Sequence, residues 1–127
     1  MAKRLRALTG IQPSGIPHIG NLKGMIEPAL ALQKTHEPFY FIASYHAMTT
    51  TKDPALLRQY QREAAMSFLA FGLDSSRTSL FLQQEVPEVT ELAWILSTLT
   101  NLGLMERAHA FKAARDTGRE INVGTFC

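Results

Sequence analysis

Residues 10–21 read Gly-Ile-Gln-Pro-Ser-Gly-Ile-Pro-His-Ile-Gly-Asn, with three glycines and two prolines set among side chains that can donate hydrogen bonds. Segments this rich in Gly and Pro form loops. This one leads from a short apolar run, residues 5–9, into a helical pattern that begins near Asn21, so it reads as a strand-to-helix turn. A helix N-terminus exposes backbone N–H groups that lack intrahelical partners, at the positive end of the helix dipole, and both features suit phosphate oxygens. Gly10, Gly15 and Gly20 let the backbone come close to a ligand. His18 can donate to a phosphate, and Asn21 brings an amide one turn into the helix. No Gly-Lys-Ser/Thr follows, so this is not a Walker loop, and Gly20 and Gly24 are spaced wrongly for the dinucleotide fingerprint. On the residues alone, a Gly/Pro-rich turn with an incidental histidine fits equally well.

The elements that must carry this loop follow from the hydrophobic pattern. Residues 5–9 read as a buried strand. A helix is expected over residues 21–34, kinked or delayed by Pro28. The aromatic run 39–44 is a strand. Asp53-Pro54 starts a helix, with an N-cap acceptor followed by proline at the first helical position. Leu57, Tyr60, Ala64, Phe68 and Phe71 then recur at steps of three and four, and Gly72 is the expected C-cap. Residues 79–83 form a third strand, and Pro87 opens a helix that ends near residues 101–103. Residues 106–119 are charged and weakly helical, broken by Gly118. Strands alternating with helices indicate an α/β fold with a parallel sheet, in which ligands sit beyond the carboxyl ends of the strands. That puts two loops at the expected site, residues 10–20 and residues 44–51. The second holds His46, for which packing at a strand end is the simpler reading on the residues alone.

Composition narrows the classes. The chain has 127 residues, 46% hydrophobic and 19% charged, which suits one globular domain. Thirteen basic against eleven acidic residues leave +2, too mild for a dense nucleic-acid stripe. Cys127 is the only cysteine, so neither a disulfide framework nor a cysteine metal site can form within the chain, and a reducing cytosol fits. No apolar run has the signal-peptide pattern or approaches the roughly 20 residues of a membrane span. The mildly apolar ending, residues 122–127, leads us to expect a longer parent chain.

His18-Ile-Gly-Asn21 resembles the HIGH signature of the class I aminoacyl-tRNA synthetases, with asparagine in the last place. Gly10-Ile-Gln-Pro-Ser-Gly15 resembles the form that this loop takes in the tryptophanyl branch; tyrosyl enzymes usually lack the Gln-Pro-Ser-Gly string. Ile42-Ala-Ser-Tyr-His-Ala-Met-Thr-Thr50 is similar to the family segment in which a histidine lines the amino-acid pocket, although an aspartate is more usual near Ser44. Phe81-Leu-Gln-Gln-Glu-Val-Pro87 is similar to the strand and turn ahead of an inserted helical segment. Glu106-Arg-Ala-His-Ala-Phe-Lys112 is similar to a charged segment near the dimer interface; a solvated helix face is the alternative. The resemblance runs from about Leu8 to Cys127.

The resemblance implies the first half of a Rossmann-like (HUP-type) parallel-sheet catalytic domain, with residues 87–119 as the inserted helical and dimer-interface segment. It implies ATP-dependent attachment of L-tryptophan to tRNA(Trp) through tryptophanyl-adenylate, by a cytoplasmic homodimer with no membrane part. Magnesium would enter with ATP, with no protein ligand. His18 and Asn21 map to catalytic positions; Gln12, Pro13, Ser14, Gly20 and Asn21 to the ATP site; Gly10, Gln12 and His46 to the amino-acid site. Trp94 is expected to anchor a core or interface, and Arg107 and Lys112 to meet a partner subunit or the tRNA acceptor end. Family members continue into an indole-recognising aspartate, a ribose-binding segment, a KMSKS loop and an anticodon-binding domain. The 127 residues are therefore expected to be an N-terminal portion with little activity alone. The alternatives are a tyrosyl-type synthetase, a small nucleotidyltransferase of the HxGH superfamily, or a short non-catalytic nucleotide-binding paralogue.

Overall fold

The computed structural model describes residues 4–107, Asp116 and Gly124; they divide into two units, one ending at Glu85 and one beginning at Val86. In the first unit, β1 (Arg6–Ile11), β2 (Glu37–Ile42) and β3 (Ser79–Leu82) form a sheet in the order β1-β2-β3, and both pairings are parallel. Successive side chains of a strand point to opposite faces, and β2 shows this clearly. Pro38, Tyr40 and Ile42 are buried, whereas Phe39 and Phe41 are only half-buried. Tyr40 and Ile42 join Ile11, Ile26, Ala29, Ala64, Phe68 and Leu73 in one core. The Tyr40 and Phe68 rings stack at 5.7 Å, and the Tyr40 hydroxyl donates to the Ala29 carbonyl. Burial pushes that phenol above its usual pKa. The other face carries Phe41 against Phe81 at 6.2 Å and the Arg6 guanidinium 5.8 Å above Phe39.

The first helical segment opens earlier than its hydrophobic pattern predicts, because the start is set by a cap. It begins as α1 (Ile19–Asn21), continues as a π-helix over Leu22–Ile26, and becomes regular only in α2 (Glu27–Leu32). Proline at position 28 has no N–H for the Gly24 carbonyl. The wider turn takes up the mismatch, with the Glu27 N–H bonding to the Leu22 carbonyl. Pro28 thus delays the regular helix as expected. The second strand ends at Ile42 rather than Ser44, since Ser44 begins the short α3 (Ser44–Ala47).

Asp53 caps α4 (Pro54–Ala70), accepting from the Ala55 and Leu56 N–H groups at 2.8 and 3.4 Å. Gly72 ends it at φ +101°, where a side chain would be strained. Ala64 and Phe68 deliver the predicted buried stripe, but Phe71, at the helix end, is 50% exposed. In the second unit, α5 (Glu88–Leu99) follows Pro87, and Asn101 starts α6 (Leu102–Met105) instead of ending α5, by accepting from the Leu104 N–H at 2.9 Å. Lys112 and most of the expected weak helix over residues 106–119 lie outside the described residues.

At the amino end of the sheet, buried Gln33 ties three segments together. Its Oε1 accepts from the Asp74 N–H at 2.7 Å and the Thr78 hydroxyl at 2.8 Å, while Nε2 donates to the Leu30 and Gly72 carbonyls at 3.2 and 3.3 Å. A stranded buried polar group costs about 1–3 kcal/mol. Gln33→Leu keeps the volume but strands several such groups, so it is expected to lower unfolding free energy by about 3 kcal/mol in urea titrations. A loss below about 1 kcal/mol would show that the clip is not structural.

Candidate active site

Parallel pairing sends β1 and β2 out of the sheet at the same end. The pairing continues one step beyond the strands, where the Ala43 N–H donates to the Ile11 carbonyl at 2.8 Å. The loop after β1 and the short helix after β2 therefore lie side by side. A direct link joins them: Gln12 Nε2 donates to the His46 carbonyl at 3.4 Å. That contact is long and exposed, so it orients more than it stabilises.

The loop after β1 encloses a cavity of about 140 Å³, with Gln12, Pro13, Ser14, His18 and Asn21 in its wall and Ala64 of α4 at its side. Complete small-molecule pockets span roughly 300–1,000 Å³, so this space suits one part of a ligand, such as a phosphate group. Pro13 is fully buried and the Ser14 N–H closes a tight turn onto the Gln12 carbonyl at 3.0 Å. The loop's shape is therefore held from within. Gly20 and His46 do not line the cavity, and neither does Gly10.

The loop ends in a reciprocal cap. His18 Nδ1 accepts from the Gly20 N–H at 3.0 Å, and the Asn21 side-chain oxygen accepts from the His18 N–H at 3.0 Å. An imidazole nitrogen that accepts carries no proton, so the ring proton sits on Nε2. Asn21 likewise uses its oxygen in the cap, leaving its amide N–H groups as donors. Both side chains thus line the cavity with neutral donors and with their acceptors already occupied. The arrangement can hold anionic oxygen without a fixed positive charge, since no Lys or Arg is among the lining residues.

Two glycines are explained by close approach. At Gly20 a Cβ would lie 2.8 Å from His18 Cε1 and 3.0 Å from Nδ1. Only glycine lets the imidazole fold back over the helix start. At Gly10 a Cβ would lie 2.5 Å from Phe41 Cζ, because the Phe41 ring covers its cross-strand neighbour.

Comparison with known proteins gives this geometry a family. The model for "tRNA synthetases class I (W and Y)" matches residues 1–127. The chain belongs to that family. Tryptophan–tRNA ligase of Rhodopirellula baltica is 49% identical over 122 residues, covering 96% of this chain and 38% of the relative. The crystal structure of Campylobacter jejuni tryptophanyl-tRNA synthetase complexed with ADP and tryptophan superposes with a TM-score of 0.88 at 45% identity, over 96% of this chain and 38% of that one. A tyrosyl-tRNA synthetase from Archaeoglobus fulgidus, with L-tyrosine, superposes at 0.72 but is only 22% identical, over 96% of this chain and 39% of that one, so it shares the fold alone. The chain thus has the Rossmann-like parallel sheet of class I synthetases and spans about 38% of the length of the curated relative.

Of the residues singled out in the sequence, the structure gathers Gln12, Pro13, Ser14, His18 and Asn21 around one cavity. It joins His46 to them only through its carbonyl. Gly20 acts on the site through the ring it accommodates, and Gly10 through Phe41. Sequence reasoning missed Ala64 in the cavity wall, and also Gln83. Buried at the end of β3, Gln83 accepts from the Tyr45 N–H at 3.2 Å. Its signal was a polar side chain ending an apolar strand.

Gly20→Ala is expected to keep the fold while swinging the His18 ring off the helix start. Long-range ¹H–¹⁵N NMR of the imidazole should then show Nδ1 losing its hydrogen bond. An unchanged Nδ1 resonance would overturn the close-approach account of Gly20.

Proposed function

We propose that this chain supplies the ATP-binding half of a cytoplasmic tryptophan–tRNA ligase. The single observation that carries the reading is the reciprocal cap, which leaves the His18 Nε2–H and the Asn21 amide as donors on two residues that line one cavity at the carboxyl end of a parallel sheet. The relatives support the substrate class. Those at 44–49% identity are tryptophan–tRNA ligases, and one solved relative holds ADP and tryptophan.

In this reading the tryptophan carboxylate attacks the α-phosphorus of ATP. The new bond is carboxylate oxygen to phosphorus, the bond broken joins that phosphorus to the bridging oxygen, and pyrophosphate leaves with the electron pair. The products are tryptophanyl-adenylate and pyrophosphate, and the aminoacyl group then passes to a terminal ribose hydroxyl of tRNA(Trp). Negative charge builds on the phosphoryl and pyrophosphate oxygens, so fixed donors accelerate the step by preorganised electrostatics and positioning. Gln12, Pro13 and Ser14 shape the nucleotide side of the loop. Gly20 and Asn21 lie under the adenosine, and His18 donates to the phosphates as charge develops. Gly10 and His46 belong to the amino-acid side, with Gln12 between the two halves. Among the described residues no three His, Cys, Asp or Glu side chains converge. Magnesium in this scheme arrives on the triphosphate as part of the substrate.

The partner in the second unit is another copy of the protein. The helix α5 exposes Leu92, Ile95, Leu96 and Leu99 along one face, with Leu99 at 77%, while Trp94, 74% exposed, lies on the opposite side of the helix. An apolar stripe of that size suits a protein interface.

In the full-length polypeptide that carries this sequence, tryptophan-dependent ATP–pyrophosphate exchange is the expected activity, with tyrosine inactive. His18→Ala should lower kcat for exchange by about a hundredfold, the usual size of one lost transition-state donor, while the KM for tryptophan changes less than threefold. Unchanged kcat, or exchange driven by tyrosine, would refute the assignment.

A further inference from the structure

The helix α3 carries His46, yet its N-cap position is Ala43, whose side chain cannot accept a hydrogen bond. The first N–H groups of such a helix need partners from elsewhere. The Tyr45 N–H finds one just past β3, the Oε1 of Gln83, at 3.2 Å. Gln83 is 9% exposed and sits in the 3-10 turn Gln83–Glu85 that ends β3. Its amide therefore does the work that a Ser, Asp or Asn at position 43 would do locally.

What it holds is the amino-acid side of the site. One residue beyond Tyr45, the His46 carbonyl receives Gln12 Nε2 at 3.4 Å and the Thr49 hydroxyl at 2.7 Å. A line of contacts thus crosses the carboxyl ends of all three strands, from Gln83 at β3 to α3 after β2 and on to Gln12 after β1. The Gln12 contact is long enough that a small rotation of α3 breaks it. Among the described residues no other side chain accepts from an N–H of α3's turn, since Ser44 Oγ donates back to the Ile42 carbonyl at 3.2 Å.

We propose that Gln83 is a positioning residue that sets the placement of His46 and, through the His46 carbonyl, of Gln12. The proposal rests on the synthetase reading above for its kinetic consequence, but not for its structural one. The neighbouring Gln84 gives a control: its Oε1 accepts from buried Gln61 Nε2 at 3.1 Å, on a separate branch that does not touch Tyr45.

The test compares Gln83→Met, Gln83→Glu and Gln84→Met in the full-length polypeptide that carries this sequence. Gln83→Met keeps the length and removes the acceptor; Gln83→Glu keeps an acceptor oxygen. NMR of Gln83→Met should show faster Tyr45 amide exchange and shifted His46 backbone and Gln12 side-chain amide resonances. Gln83→Glu and Gln84→Met should leave the His46 and Gln12 signals in place. In pyrophosphate exchange, Gln83→Met is expected to raise the KM for tryptophan about tenfold with kcat changed less than threefold, and Gln83→Glu to restore most of it. Unshifted His46 and Gln12 resonances in Gln83→Met overturn the proposal whatever the kinetics. Equal KM increases in Gln83→Met and Gln84→Met overturn it too, since they would indicate general loosening. If the parent protein shows no tryptophan-dependent exchange, the synthetase reading fails while the resonances still decide the role of Gln83.

Discussion

The parallel pairing of β1 with β2 is the constraint on which the site depends. Because both strands run the same way, their exits meet at one end of the sheet, and the Ala43 N–H to Ile11 carbonyl bond carries the pairing into the loops themselves. An antiparallel pairing would have sent residues 12–18 and His46 to opposite ends of the molecule. Register matters as much as direction. A slip of one residue would turn Tyr40 and Ile42 away from Phe68 and Ile26, and it would take Phe41 off Gly10. The stacked Tyr40–Phe68 pair in the core and the Phe41 ring on the opposite face both oppose that slip.

Within this frame the reciprocal cap converts backbone geometry into a choice of imidazole tautomer. The Gly20 N–H can only donate, so His18 Nδ1 must accept, and the proton is left on Nε2. The missing Cβ at position 20 makes the contact possible. The histidine, glycine and asparagine of the signature are thus not three separate ligand contacts. They are one small structure in which the glycine admits the ring, the asparagine oxygen takes the His18 N–H, and two neutral donors are left over. That explains why asparagine serves in the last place, where an acceptor within reach of the His18 N–H is what the local geometry needs.

The local features were legible from the sequence because their causes are local. Asp53-Pro54 fixed the start of α4, Gly72 its end, and Pro28 the late onset of α2, each through a backbone property of that residue. The loop of residues 10–21 was legible as a strand-to-helix turn by composition, and its resemblance to a known signature singled out the residues that line the cavity. What escaped was set by partners far along the chain. Gln33 meets Asp74 and Thr78, Gln83 meets Tyr45, and Gln61 meets Gln84; a glutamine in a helical or strand pattern carries no mark of which carbonyl or amide it will reach. Phe71 failed as a core residue because the helix ends at Ala70 and the helical period was carried one residue past it. Trp94, expected to anchor a core or interface, is 74% exposed and joins no core among the described residues.

The amide side chains share one physical logic. A buried carboxylate or ammonium must be paired or pay a large desolvation cost, whereas a glutamine or asparagine donates and accepts at once and stays neutral. Gln33 uses both ends to close the amino end of the sheet, and Gln83 and Gln12 link segments across the carboxyl end. Holding the site with neutral groups has an electrostatic consequence. No Lys, Arg, Asp or Glu is among the residues that line the cavity, so under the proposed reading charge developing on a phosphate would meet oriented N–H dipoles that do not reorganise when it moves. Fixed cations at the same positions would bind the ground-state triphosphate tightly as well. Under the proposed reading, dipoles aimed by a cap would favour the geometry in which charge has shifted, which is the difference between binding a nucleotide and activating it.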